Sequence, residues 1–161
     1  MDFALLFQDF PPEIATLIIA SLPIAELRGA IPVGIGIYKL DPLLVYILSV
    51  VGNIIPAFFI LWLIGPASGY LMQRFGWAHS FFEWLFARTR HKFVKKYEKW
   101  GHLALIIFVA IPLPLTGVWT GSLAAFLFGI PKKVSLALLT VGAALAGVIV
   151  SATTLGLINI F

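Results

Sequence analysis

Cysteine is absent from the 161 residues, and charge is scarce, with Asp, Glu, Lys and Arg making up 11% of the chain. Without cysteine there is neither a disulfide framework nor a thiolate metal site. The three histidines, His79, His91 and His102, form no i,i+4 ligand pair on an apolar helix, so no metal and no cofactor is expected. No Gly-Lys-Ser/Thr phosphate loop occurs, which removes ATP-driven chemistry from the chain's own repertoire. Positive charge is also missing where a signal peptide would need it, because Asp2, Asp9 and Glu13 stand there instead. The net charge of +4 is small and local, and it points to lipid headgroups and topology before nucleic acid.

What is present is apolar. Hydrophobic residues make up 61% of the chain, against about half in a soluble domain. Runs such as "PLLVYILSVVGNIIPAFFILWLIG" and "VSLALLTVGAALAGVIVSATTLGLINIF" exceed the ~18 apolar residues that mark a membrane span. The sequence therefore predicts an all-α integral membrane protein, a single membrane domain over residues 1–161. No Ser-His-Asp set and no carboxylate pair stands at membrane depth, so no enzyme is expected.

Proline, glycine and charge divide the chain. After a short acidic lead, residues 12–38 are apolar but broken at Pro23, Gly29 and Pro32, and residues 42–71 form a long span. Residues 74–100 carry most of the charge. The pattern then restarts, with residues 102–129 broken at Pro112, Pro114 and Gly117 and residues 131–160 forming a second span. Pro23 precedes Pro42 by 19 residues, as Pro112 precedes Pro131, and this spacing predicts an internal repeat over 12–71 and 102–160.

Residues 12–22 rise only about 16 Å as a helix, half of a ~30 Å hydrocarbon core. Each broken segment is thus either one poor span or a re-entrant hairpin, and the charges choose between these. Seven of the eleven basic residues (Arg74, Arg88, Arg90, Lys92, Lys95, Lys96, Lys99) lie in the middle segment, which places it in the cytoplasm. Lys132 and Lys133 stay on that side only if the second broken segment is re-entrant. The same logic puts Lys39, Asp41 and both termini outside, in the inner membrane of the cell. Two hairpins entering from opposite faces make the repeats inverted, a plan used by many secondary transporters.

The first hairpin carries "SLPIAELRGAIPVGIG", with Glu26 and Arg28 inside the apolar run. Each ionised group near the bilayer centre costs about 2.5–3.5 kcal/mol on insertion scales. Positions i and i+2 do not face each other on a helix, so direct pairing needs an unwound backbone. Glu26 then reads as proton carrier or cation ligand and Arg28 as anion clamp, or the two form a structural pair pinning the hairpin. In the second hairpin Thr116, Thr120, Ser122 and Trp119 offer polar groups near carbonyls 108 and 110, which Pro112 and Pro114 leave without their usual donors. Asn53 either hydrogen-bonds a hairpin backbone or lines the cavity. Small residues (Ala143, Gly147 and Ser151; Gly65 and Gly69) allow close helix approach. Residues 81–100 read as an amphipathic helix, with Phe82, Phe86, Phe93, Tyr97 and Trp100 in one stripe and anionic lipid headgroups as its partner.

The "ELRGAIP" stretch, the "PLPLTGVWTG" and "GIPKK" segments and the basic middle together resemble the small multi-drug export protein family, itself thought to be distantly related to the DedA membrane proteins. The resemblance covers residues 12–160 and implies two re-entrant hairpins in an inverted repeat. The DedA proteins it leads to are linked to proton-dependent lipid-phosphate transport. Their pattern has acidic residues in the first hairpin and an arginine in the second. Here Arg28 shares the first hairpin with Glu26, and neutral residues from Thr116 to Thr120 stand at the matching place.

The expected function is a secondary transporter or exporter, proton-coupled through Glu26, for a small amphiphilic or lipid-phosphate-like substrate. A homodimer is expected, because two spans enclose a pathway poorly. The alternative is a non-transporting lipid-binding or envelope-assembly scaffold.

Overall fold

The protein was analysed as a computed structural model that describes residue 7 and residues 9–112 and 116–160, with backbone alone for 92, 93, 95–99, 159 and 160. Pro114 lies outside the described residues, as do the side chains of Phe93 and Tyr97.

Proline sets most of the helix boundaries. Helix α1 (Pro12–Ser21) starts with Pro at its first position, where the missing N–H costs no bond. It stops because Leu22, preceding Pro23, is pushed into extended geometry (φ −75°, ψ 139°). Helix α2 (Glu26–Pro32) runs into a π-helical turn over Val33–Ile37, closed by the Tyr38 N–H to the Val33 carbonyl at 2.9 Å. Helix α3 (Pro42–Arg74) is capped by Asp41, whose carboxylate accepts from the Leu43 and Leu44 N–H groups at 2.9 and 3.1 Å. It extends past the expected end at 71. After one extended residue, Phe75, helix α4 (Gly76–Trp100) begins, earlier than the amphipathic stretch expected from 81. Helix α5 (Leu103–Ala110) ends as α1 does, with Ile111 extended before Pro112. Helices α6 (Val118–Leu127) and α7 (Lys132–Ile160) complete the fold, and no strand occurs among the described residues.

Two helices, Pro42–Arg74 and Lys132–Ile158, are long and apolar enough to cross a membrane. Only 28% and 39% of their most apolar windows are buried, whereas the core helix of a soluble protein is mostly buried. The remaining apolar surface, including Phe58, Phe59, Leu63, Val148 and Ile149, is exposed and suits lipid.

Close approaches give the helix directions. A Cβ on Gly34 would meet Val45 and Thr16, and one on Gly52 would lie 2.5 Å from the Leu17 carbonyl and 3.0 Å from Ala20. Helix α1 thus runs beside α3 in the same direction, and α2 returns. Gly142 repeats the contact of Gly52, with its Cβ position 2.8 Å from Val109 and 3.1 Å from the Ile106 carbonyl. Helix α5 therefore packs closely on α7. The spans themselves are antiparallel: the Tyr46 hydroxyl donates to the Ala144 carbonyl at 3.2 Å, and the Lys132 ammonium lies 5.8 Å from the Trp62 ring centre. Each broken segment also packs across the molecule, α2 on α7 and α6 on α3. One core joins Leu27 and Ile31 of α2, Val45 of α3, Phe108 of α5, Val118 of α6 and Leu139 of α7.

Candidate functional site

The break after α1 lets the chain turn at the position the charges occupy. Glu26 opens α2 with a left-handed backbone, φ +48°, and is held there by its N–H to the Leu22 carbonyl at 2.9 Å. A non-glycine residue in that region costs on the order of 1–3 kcal/mol, so its surroundings must hold it. They do so through the second broken segment. The Glu26 carboxylate accepts hydrogen bonds from the backbone N–H groups of Val118 and Trp119, the first two residues of α6.

Helix α6 needs this partner. Its opening N–H groups have no intrahelical acceptor, and Gly117 at the cap position supplies no side chain. A carboxylate there also meets the positive end of the helix dipole. Gly117 is extended, at φ −156°, so the glycine is required for space alone. Any Cβ at that position would collide with the Glu26 carboxylate.

Arg28 stands one turn-edge away. Its Nη2 is 3.6 Å from Glu26 Oε2, and it donates to the Thr116 carbonyl. The i,i+2 pairing arises from the left-handed Glu26 backbone, since a regular helix would splay the two side chains. Glu26 is 6% exposed, while the Arg28 side chain keeps 23% of its surface open. The contact is reciprocal between segments, because the Trp119 indole N–H donates to the Ser21 carbonyl at 3.2 Å, at the C-terminal end of α1. An acid of the first hairpin caps a helix of the second, and an indole of the second caps a helix of the first.

Glu26, Arg28 and Thr116 therefore come together. The Thr116 hydroxyl donates to the carbonyl of Ile111, the extended residue of the break after α5, at 3.0 Å. Ser122 bonds the Val118 carbonyl of its own helix at 2.7 Å. Thr120 is half-buried on the first turn of α6. Asn53 is buried in α3 and hydrogen-bonds neither hairpin. Gly29 makes room within the first segment, its Cβ position lying 3.0 Å from Ala25. Pro23 and Pro112 stand at segment breaks, whereas Gly29 and Pro32, expected as breaks, lie inside the continuous run from α2 into the π-helical turn, where Pro32 keeps helical geometry.

Sequence reasoning named Trp119 and Gly117 without seeing their roles as cap and as space for a carboxylate. It missed the Val118 and Trp119 N–H groups altogether. An uncapped helix start after Gly was the available signal. Ser49, a turn before Asn53, was also passed over. Among the described residues no group of three or more His, Cys, Asp or Glu side chains gathers to hold a metal.

Residues 26–149, which contain this constellation, the first span and most of the second, match the family model described as "Putative small multi-drug export protein". The chain belongs to that family. Its name is one of membrane exporters rather than enzymes. No curated protein and no solved structure matches the chain.

Proposed function

We propose that this small multi-drug export family member is a proton-coupled secondary transporter for an anionic amphiphile, with the Glu26–Arg28 constellation as its site. The single observation that carries this reading is what Glu26 occupies. Two backbone N–H groups at a helix start and a guanidinium make a seat for an anion, and the chain's own carboxylate sits in it. A proton on Glu26 removes the charge that the seat binds. The seat then becomes open to a phosphate or carboxylate headgroup, with Thr116 beside it, Thr120 on the first turn of α6 and Arg28 partly open.

The paired contacts of Gly52 on α1 and Gly142 on α5 support reading the halves as an inverted repeat of re-entrant hairpin and span. On that reading the hairpin tips meet near mid-membrane, residues 74–100 face the cytoplasm, and α4 lies against anionic headgroups. A homodimer completes the pathway. The test is substrate flux in proteoliposomes across pH. Glu26→Gln keeps the acceptor oxygen but not the titration, so flux is expected to lose its pH dependence while the protein stays folded. An unchanged pH profile would reject the coupling role.

A second reading draws on the fact that Glu26 and Arg28 find partners within the chain itself. The pair is then a structural clasp in a lipid-binding scaffold. The groove of about 690 Å³ between α4 and α6, lined by Glu83, Phe86, Ala87, Arg90, His91 and Leu127, is its natural lipid contact. Full cellular function after apolar replacement of both Glu26 and Arg28 would favour the scaffold.

A further inference from the structure

Helix α3 carries two polar side chains in its buried face, Ser49 with no exposed surface and Asn53 at 1%. They are four residues apart and so share one face of the helix. Neither the Ser49 hydroxyl nor either amide atom of Asn53 has a hydrogen-bond partner among the described residues. Among the described residues Ser151 of α7 is likewise unpartnered, but other helical serines bond back onto their own helix. Ser122 turns its hydroxyl onto the Val118 carbonyl at 2.7 Å, and Ser68 onto the Gly65 carbonyl at 3.2 Å. Beside Asn53 the backbone adds a further acceptor, because Pro56 has no N–H to give to the Gly52 carbonyl.

The chemistry of this set selects its ligand. An amide presents a donor and an acceptor together, and a serine hydroxyl does the same. A cation would satisfy the oxygens and leave Asn53 Nδ2 unpaired, and an anion would do the reverse. Water satisfies both, and a buried water with two to four polar partners is the ordinary solution for such groups.

Position gives the site its interest. Gly52, the neighbour of Asn53, packs on Ala20. The next residue, Ser21, accepts the Trp119 indole N–H, and the Trp119 backbone N–H is bound by Glu26. Ser49 and Asn53 are therefore in the same layer of the fold as the acid.

We propose that Ser49 and Asn53 form a buried water-binding site in the layer of Glu26, holding water at a depth that lipid cannot hydrate. This stands whether or not the chain transports. The sequence makes a direct test possible, because asparagine occurs only at 53 and 159. In full-length protein labelled with ¹⁵N-asparagine and carrying Asn159→Gln, the one labelled side-chain amide is that of Asn53. Magnetisation transfer from water to that amide, in lipid bilayers by solid-state NMR, is the expected result. Its absence would overturn the proposal. Ser49→Ala should weaken the transfer, and an unchanged signal would remove Ser49 from the site. Asn53→Leu is expected to lower the thermal midpoint, whereas a rise would mean that the amide is simply unpaired.

Discussion

Glu26 concentrates three unfavourable terms in one residue: a carboxylate in an apolar run, near-complete burial and a left-handed backbone. Removing one partner of a buried charge pair costs about 3–5 kcal/mol, much of it from the charge left behind. Arg28→Ala is therefore expected to destabilise the protein more than Glu26→Gln, which keeps an oxygen for the Val118 and Trp119 N–H groups. Thermal midpoints of the two variants in the same detergent compare them directly. Gly117 gives a sharper test. Gly117→Ala forces a methyl into the carboxylate, an overpacking worth about 1–3 kcal/mol. In a Glu26→Ala background that methyl meets no carboxylate, so the two losses should fall well short of additive. Additive losses would place the carboxylate elsewhere.

At the scale of elements, packing distances separate glycines that look alike in sequence. Gly52 and Gly69 both lie within α3, yet a Cβ on Gly52 would meet the Leu17 carbonyl and one on Gly69 meets nothing within 4 Å. Gly52→Ala is expected to push α1 off α3 and to lower stability clearly. Gly69→Ala should be neutral or stabilising by up to about 1 kcal/mol, the helix propensity gain. Unfolding midpoints of the two variants check this pair. Gly142, against Val109 and the Ile106 carbonyl, should behave as Gly52 does. The stripe of small residues proves mixed in the same way. Gly147 admits Tyr46 and Gly65 admits Phe126, while Gly69 faces open space.

At the scale of the whole molecule, the cysteine-free sequence is ready for topology mapping. Single cysteines at Lys39 and Lys133 are expected to label from opposite faces of the membrane, with Lys133→Cys on the same face as Arg90→Cys. Labelling of Lys39→Cys and Lys133→Cys from one face would end the re-entrant reading, because α3 and the second hairpin lie between them. Membrane class, the two spans and the breaks at Pro23 and Pro112 could be read without coordinates. Span length and proline chemistry are properties of local sequence. Glu26 and Arg28 were legible for a related reason, since charge in an apolar run is conspicuous wherever the chain goes.

Their partners were not legible. The groups that hold Glu26 are the backbone N–H groups of Val118 and Trp119, which every residue but proline possesses. Residue identity cannot announce that such groups open a helix, lack a cap and face an acid some ninety positions earlier. Asn53 illustrates the same limit, as its type suggested a bond to a hairpin and its place in the packing gives it none. The sequence by itself therefore determined the solvent this chain folds in, the helix breaks at Pro23 and Pro112 and which charges stand in apolar runs. Only the tertiary structure decided what those charges touch, because hydrogen-bonding at helix ends depends on position in space and not on side-chain type.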